Sequence, residues 1–223
     1  MCIRDSRLSF KQHLSYVAQK AAGIQGSLSR ILPNIGGPKG VRRLLIAKVV
    51  TSVMLYASPI WADALKMKIR YKELAPTYRL SALNAICGYR TISEEAALVL
   101  AGMVPIDIMA DEMKRVYARL LDNPTQRDVV KKEERARSMD LWQARWESAV
   151  KGRWTFSLIP VIAEWMHREH GESNYYVTQF LSGHGCFRKY LHRFGHDSSP
   201  ICPNCMDQEE DAEHVMVKSN STK

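Results

Sequence analysis

An all-α fold is predicted for this chain by three features. Apolar residues recur at three- and four-residue spacing through most of its 223 residues. Glycine, proline and capping residues break that pattern at helix-length intervals. The strict alternation that marks a half-buried strand is not needed before residue 150, and after it only residues 175–178 are ambiguous. The architecture expected is a helical bundle followed by a smaller, mainly helical C-terminal domain that ends in a cysteine-containing knuckle.

The first helix is expected over residues 9–32, where Leu14, Val17, Ala18, Ala21, Leu28, Ile31 and Leu32 form one stripe and Gly23 and Gly26 weaken the middle. The Pro33-Asn34-Ile35-Gly36-Gly37 loop ends it. Pro38 suits the first turn of a second helix with the stripe Leu45, Val49, Val53 and Tyr56, closed by Ser58-Pro59. A third helical stretch runs over residues 66–86, with a kink expected at Pro76 and a stop near Gly88. Thr91-Ile92-Ser93-Glu94 has the form of a capping box, with Thr91 as cap, and opens a short helix to about Ala101. Pro105 opens another, with Ile108, Met109, Met113, Val116, Tyr117 and Leu120 on one side and Lys114, Arg115 and Arg119 available on the other. Asp122-Asn123-Pro124-Thr125 is the best linker candidate. A densely charged helix follows over residues 126–150, anchored by Met139, Trp142, Trp146 and Ala149.

A composition of 46% apolar and 25% charged residues excludes disorder over the whole chain. Lys and Arg number 32 against 23 Asp and Glu, a formal charge of +9, which suits a phosphate-rich partner. The excess is uneven: residues 1–121 hold 18 basic against 8 acidic side chains, leaving 14 against 15 for residues 122–223. No membrane span is predicted, because the most apolar stretch, residues 44–61, is interrupted by Lys48, Thr51, Ser52 and Ser58. The N-terminus has no apolar h-region, and five cysteines are an odd count for a disulfide framework, so a reducing, intracellular compartment is expected.

The strongest local signal for chemistry is Cys202-Pro203-Asn204-Cys205, then eight residues, then His214. Two thiolates from one tight turn and a His from a following helical turn can share one Zn²⁺. A fourth ligand is expected about five residues beyond His214, where Ser219 stands. Water, Cys186 or His196 folded back, or a cysteine lost from this chain are the alternatives; a turn with two thiols and no metal is the other reading. A second signal lies in residues 181–194, where Gly183 and Gly185 precede a helix that interleaves Arg188, Lys189, His192 and Arg193 with Phe187, Tyr190 and Phe194. That pattern suits phosphate contact and base stacking, and equally a helix with one buried aromatic face. In the first half, Arg30, Lys39, Arg42, Arg43, Lys48, Lys66, Lys68, Arg70, Lys72 and Arg79 gather around the second and third helices and favour a nucleic-acid-facing groove. Arg42, Arg43, Lys48, Arg188, Lys189 and Arg193 are the expected phosphate contacts. No Gly-rich phosphate loop, nucleophile elbow or paired aspartates are encoded, so a two-metal polymerase centre is absent from the sequence. Cys186 and His184 have no partner at a diagnostic spacing for a nucleophile pair.

The order of these motifs resembles the region that follows the palm in reverse transcriptases of non-LTR retrotransposons, above all the clade that inserts in ribosomal DNA and the related jockey-type elements. The residues carrying the resemblance are Asp5-Ser6-Arg7-Leu8-Ser9-Phe10 with His13, Val17 and Lys20, and Val53-Met54-Leu55-Tyr56-Ala57-Ser58-Pro59-Ile60-Trp61-Ala62. Tyr89-Arg90-Thr91-Ile92-Ser93, Ala101-Gly102-Met103-Val104-Pro105-Ile106 and Thr178-Gln179-Phe180-Leu181-Ser182-Gly183-His184-Gly185-Cys186-Phe187 follow, and Cys202, Cys205 and His214 complete it. The resemblance implies a thumb-like helical domain over residues 5–121, a helical C-terminal domain over 126–195 and a zinc knuckle, degenerate at Ser219, over 200–219. It implies RNA and DNA as template and primer partners, a nuclear site of action, and a fingers and palm region, with the catalytic aspartates, upstream of Met1. On that reading the chain contributes nucleic-acid binding to target-primed reverse transcription and does not polymerise alone. A freestanding zinc-knuckle binding module and an inactive structural relic of a retroelement are the alternatives.

Overall fold

The computed structural model describes residues 10–122, 126–169 and 173–218. Their regular structure is helical, and the one β contact among them is an isolated bridge between Ile201 and Glu209. Residues 175–178, ambiguous in sequence, open a helix capped by Asn174, whose side chain accepts the Val177 N–H at 2.9 Å.

Helices α1 (Lys11–Ser29), α2 (Gly40–Met54) and α4 (Lys68–Ala85) pack on one another, with the short α3 (Ser58–Trp61) and a 3₁₀ turn (Ala62–Lys66) between α2 and α4. α4 runs through Pro76, which is exposed and lies near mid-helix. α5 (Glu94–Ala101) is almost wholly buried, and α6 (Ile106–Asp122) packs antiparallel-style along α7 (Arg127–Glu147). The cap of α5 is Ser93, whose hydroxyl accepts the Ala96 N–H, and not Thr91. Thr91 instead points away to meet Tyr190 and His184.

The α2 stripe read from sequence is the wrong face. Leu45, Val49 and Tyr56 are exposed, while Arg43, Ala47, Val50, Thr51 and Met54 face the core. A helix apolar on most sides carries no periodic signal to choose between its faces, so its neighbours α1 and α4 decide. This burial also bears on the membrane question. No single helix among the described residues is long and apolar enough to cross a bilayer; α2 with residues 58–66 reaches that length only as a pair bent by 56°. Ala47, Val50, Met54, Trp61 and Leu65 of that pair are spent on the core.

The core runs unbroken past the expected linker. Trp142 and Trp146 of α7, together with Ile159 and Ile162, belong to the same cluster as Leu14, Met54, Tyr78 and Ile106. Asn123, Pro124 and Thr125 lie outside the described residues, yet the helices on either side of them pack together, so the change in charge there is not a break in packing. Ion pairs reinforce the seam: Glu134 of α7 accepts from Arg115 at 2.5 Å and Arg119 at 2.9 Å, and Arg135 reaches Glu112 at 3.0 Å. Lys114, Arg115 and Arg119, read from sequence as available, are therefore engaged, Lys114 with Asp63.

Three short helices, α8 (Arg153–Leu158), α9 (Ile162–His167) and α10 (Tyr175–Ser182), cover the end of this core. α10 is pinned by Thr178, whose buried hydroxyl donates to the Ile86 carbonyl at 2.5 Å, and by the Trp154 indole, which donates to the Phe180 carbonyl at 2.8 Å. Gly183 ends α10 with φ +68° where a Cβ would meet Trp154 at 2.9 Å, so the glycine is required twice over. Gly183 and Gly185 thus allow close approach to Trp154 and Gln179 of the chain itself.

Candidate metal centre and basic surface

The last helix, α11 (Arg188–Arg193), has no buried residue of its own and is held from both sides. On one side Tyr190 bonds the Thr91 hydroxyl at 2.7 Å. On the other, the Lys189 N–H donates to the Glu210 carbonyl at 3.0 Å, and the Arg188 guanidinium donates to the Ile201 carbonyl at 3.2 Å. Residues 196–218 then form a compact terminal loop that contains most of the knuckle segment expected from the sequence, residues 200–219. Cys202 N–H donates to Gln208 O and Glu210 N–H to Pro200 O, each at 2.8 Å, which closes the loop across the Ile201–Glu209 bridge. Met206, at φ +56°, turns the chain back after Cys205.

This loop brings Cys202, Cys205 and His214 together. Their ligand atoms all lie within 4.8 Å of one another, and Cys205 Sγ is 3.4 Å from His214 Nε2. Cys202 and His214 are buried, and the N–H of His214 is fixed by the Asp211 carboxylate at 2.9 Å. Backbone N–H groups of Asp207 and then Gln208 point at the Cys205 sulfur and hold its thiol below the usual range, favouring the thiolate that a metal takes. Two thiolates and an imidazole are a zinc donor set, and their mutual spacing needs only a small contraction to surround one ion at about 2.0–2.3 Å. The residues therefore fit Zn²⁺. Within the described residues the group has these three members; Cys186 and His196 do not join it. Ser219 lies outside the described residues.

The six expected phosphate contacts divide sharply. Arg43 is buried, and its guanidinium donates to the carbonyls of Pro38 at 2.7 Å and Asn84 at 3.1 Å, as well as to Pro33. It stitches the 33–38 loop to the end of α4 and is not on a surface where a phosphate could reach it. Arg188 and Lys189 bind α11 to the knuckle, with Lys189 also paired to Glu209 at 2.9 Å and Arg188 facing Asp197 at 3.5 Å. Arg42 and Lys48 are exposed on α2. Arg193 lies 5.8 Å from the Phe194 ring centroid on the outer side of α11. Of the wider set, Arg79 caps the Arg90 and Ile92 carbonyls, Arg70 pairs with Glu73 and Lys66 with Asp63, while Arg30, Lys39, Lys68 and Lys72 are exposed.

Aromatic groups from distant parts of the sequence converge at α11. Tyr89 and Tyr175 hydroxyls are 2.5 Å apart, and the Tyr89 ring centroid is 6.2 Å from that of Tyr190. Burial and the Tyr175 contact push the Tyr89 hydroxyl well above its ordinary range, so it stays protonated. Nothing in the spacing of residues 89, 175 and 190 could have revealed this. A second polar group sits between α4, α5 and α7, where Tyr71 donates to Glu94 and Arg145 makes a two-pronged pair with Asp107 at 2.5 and 2.9 Å. Burial raises the Glu94 carboxyl above its ordinary range.

What emerges is a helical body that exposes Arg42 and Lys48 on α2 and ends in a Cys-Cys-His cluster that could hold a metal ion. Comparison with known proteins narrows the class. The chain is 26% identical over 225 residues, 94% of its length, to a retrovirus-related Pol polyprotein from type-1 retrotransposable element R1 of Bradysia coprophila. It is 28% identical over 227 residues to the corresponding R1 2 protein of Nasonia vitripennis, and 26% identical over 226 residues to a putative 115 kDa protein in element R1DM of Drosophila melanogaster. The similarity supports a retroelement-derived chain. It spans 22%, 55% and 22% of those three relatives' lengths. No family model matches the chain, and no solved structure does.

Proposed function

We propose that the chain is a nucleic-acid-binding segment of a non-LTR retrotransposon Pol polyprotein, a thumb-like helical body that ends in a zinc knuckle. The observation that carries this reading is similarity to R1 Pol polyproteins along nearly the whole chain, joined to a basic first half. In the longer protein the body lies along the sugar-phosphate backbone of template and primer, and Arg42 and Lys48 on α2 contact phosphates without reading bases. RNA-directed DNA synthesis belongs to a palm that this sequence does not encode, so the chain alone is inactive as a polymerase. Zn²⁺ held by Cys202, Cys205 and His214 has a structural task, fixing the knuckle against α11. The site of action is nuclear. Because Arg188 and Lys189 are occupied in holding the knuckle, the body is the main binding surface, which favours this reading over a freestanding knuckle module. Fluorescence anisotropy on a labelled RNA–DNA primer–template tests it: binding must weaken steeply as salt rises, and affinity that is absent, or equal at low and moderate salt, overturns it.

A further inference from the structure

A cleft of about 800 Å³ opens between the α5 cap, the 150–152 turn, His184 and the end of α11. We propose that the cleft and its rim are a subsite for a single-stranded segment of nucleic acid, where a base stacks on Phe194, outside the cleft next to Arg193, and the adjoining phosphate meets Lys151 and Arg193 within it. The inference rests on the nucleic-acid reading above and adds a site separate from α2.

Three observations carry it. First, an aromatic row starts at the cleft and leads out of it: His184, which lines the cleft, is followed by Tyr190 and Phe194, with ring centroids 5.2 and 5.0 Å apart, and Phe194 at the outer end is 44% exposed. Second, Lys151, Arg193 and Arg79 line the cleft, and Lys151 is exposed and makes no ion pair among the described residues. The opposing carboxylates are Glu95 and Glu94, and Glu94 is engaged by Tyr71. Third, the row is braced from within the cleft, since the lining residue Thr91 holds both His184, at 2.9 Å, and Tyr190, at 2.7 Å. A preorganised aromatic end beside cations is the arrangement that binds unpaired bases, whose π-faces are open only in a single strand.

The test measures affinity of the full chain, by anisotropy, for a labelled 12-nucleotide oligouridine and for a primer–template duplex, in wild type, Phe194→Ala, Lys151→Ala and the Arg42→Ala/Lys48→Ala double variant. Both subsite positions are solvent-facing, and unchanged thermal melts confirm that the variants fold. Phe194→Ala is expected to weaken oligouridine binding by roughly tenfold and leave duplex binding within about twofold. Lys151→Ala acts in the same direction with a smaller loss, and the α2 variant weakens the duplex more than the oligouridine. Oligouridine binding that survives both subsite substitutions but falls with the α2 variant overturns the subsite while leaving the general reading intact. Wild-type protein that binds neither probe overturns both.

Discussion

The helical body and the terminal knuckle are held together by different physics. In the body, Trp61, Tyr78, Trp146 and a dozen aliphatic side chains are removed from water, and each large one is worth about 1.5–3 kcal/mol. In the knuckle segment, Cys202 and Ala212 are the buried apolar residues among those described, and the rest is backbone hydrogen bonds, surface ion pairs and three converging groups that could hold a metal. Surface ion pairs such as Lys189–Glu209 contribute at most about 1 kcal/mol each. The body should therefore fold on its own account, and the knuckle should depend on metal.

Four substitutions probe that contrast. Trp146→Ala removes a side chain that is 1% exposed and that donates to the Ile159 carbonyl at 2.8 Å. It should cost the body about 3–5 kcal/mol, visible as a large drop in urea midpoint; a loss under about 1 kcal/mol would mean that α7 is not part of the core. Arg43→Met leaves carbonyls of the 33–38 loop and of Asn84 without their donor, and should cost about 2–3 kcal/mol while leaving the salt dependence of nucleic-acid binding unchanged. A reduced salt slope would restore Arg43 to the binding surface.

Acid comes next in size. Burial alone would raise Glu134, but hydrogen bonds from Arg115 and Arg119 outweigh it and hold the carboxyl below its ordinary value of 4.5. A lowered folded pKa means that the stabilisation is complete above 4.5 and is lost as pH falls below it. Glu94, raised by burial, acts in the opposite sense, losing its contribution as pH rises through its folded value. Comparing wild type with Glu134→Gln isolates the first group: the variant's melting temperature should fall less between pH 5 and pH 3, and parallel curves would contradict the clamp. The smallest effect on the body is expected from Cys205→Ser. Metal content by mass spectrometry should drop from one zinc to none, while the main melting transition stays in place. A body that melts earlier in step with zinc loss would show that the two regions are one unit.

The helices before residue 150 were legible in the sequence because periodicity, Pro38 and Pro105 are local signals. Their orientation was less so. α2 is apolar on most sides, and only its packing against α1 and α4 assigns Leu45 and Val49 to solvent and Arg43 to the interior. The Cys-Cys-His cluster was legible because a Cys-x-x-Cys turn brings two of its members together locally. Which cations stay exposed was not, because charge counts do not say whether a guanidinium faces solvent or a carbonyl. Arg43, Arg79 and Arg188 are all spent on backbone oxygens, which only tertiary structure reveals. The Tyr89–Tyr175–Tyr190 group joins residues up to 101 positions apart, beyond any spacing rule.

The central claim, that exposed cations of the body bind the backbone of template and primer, is tested most directly by the salt slope of primer–template binding. In wild type, log affinity should fall linearly with log salt, and Arg42→Ala/Lys48→Ala should make that slope shallower by about 1–2. An identical slope in the double variant would contradict the account.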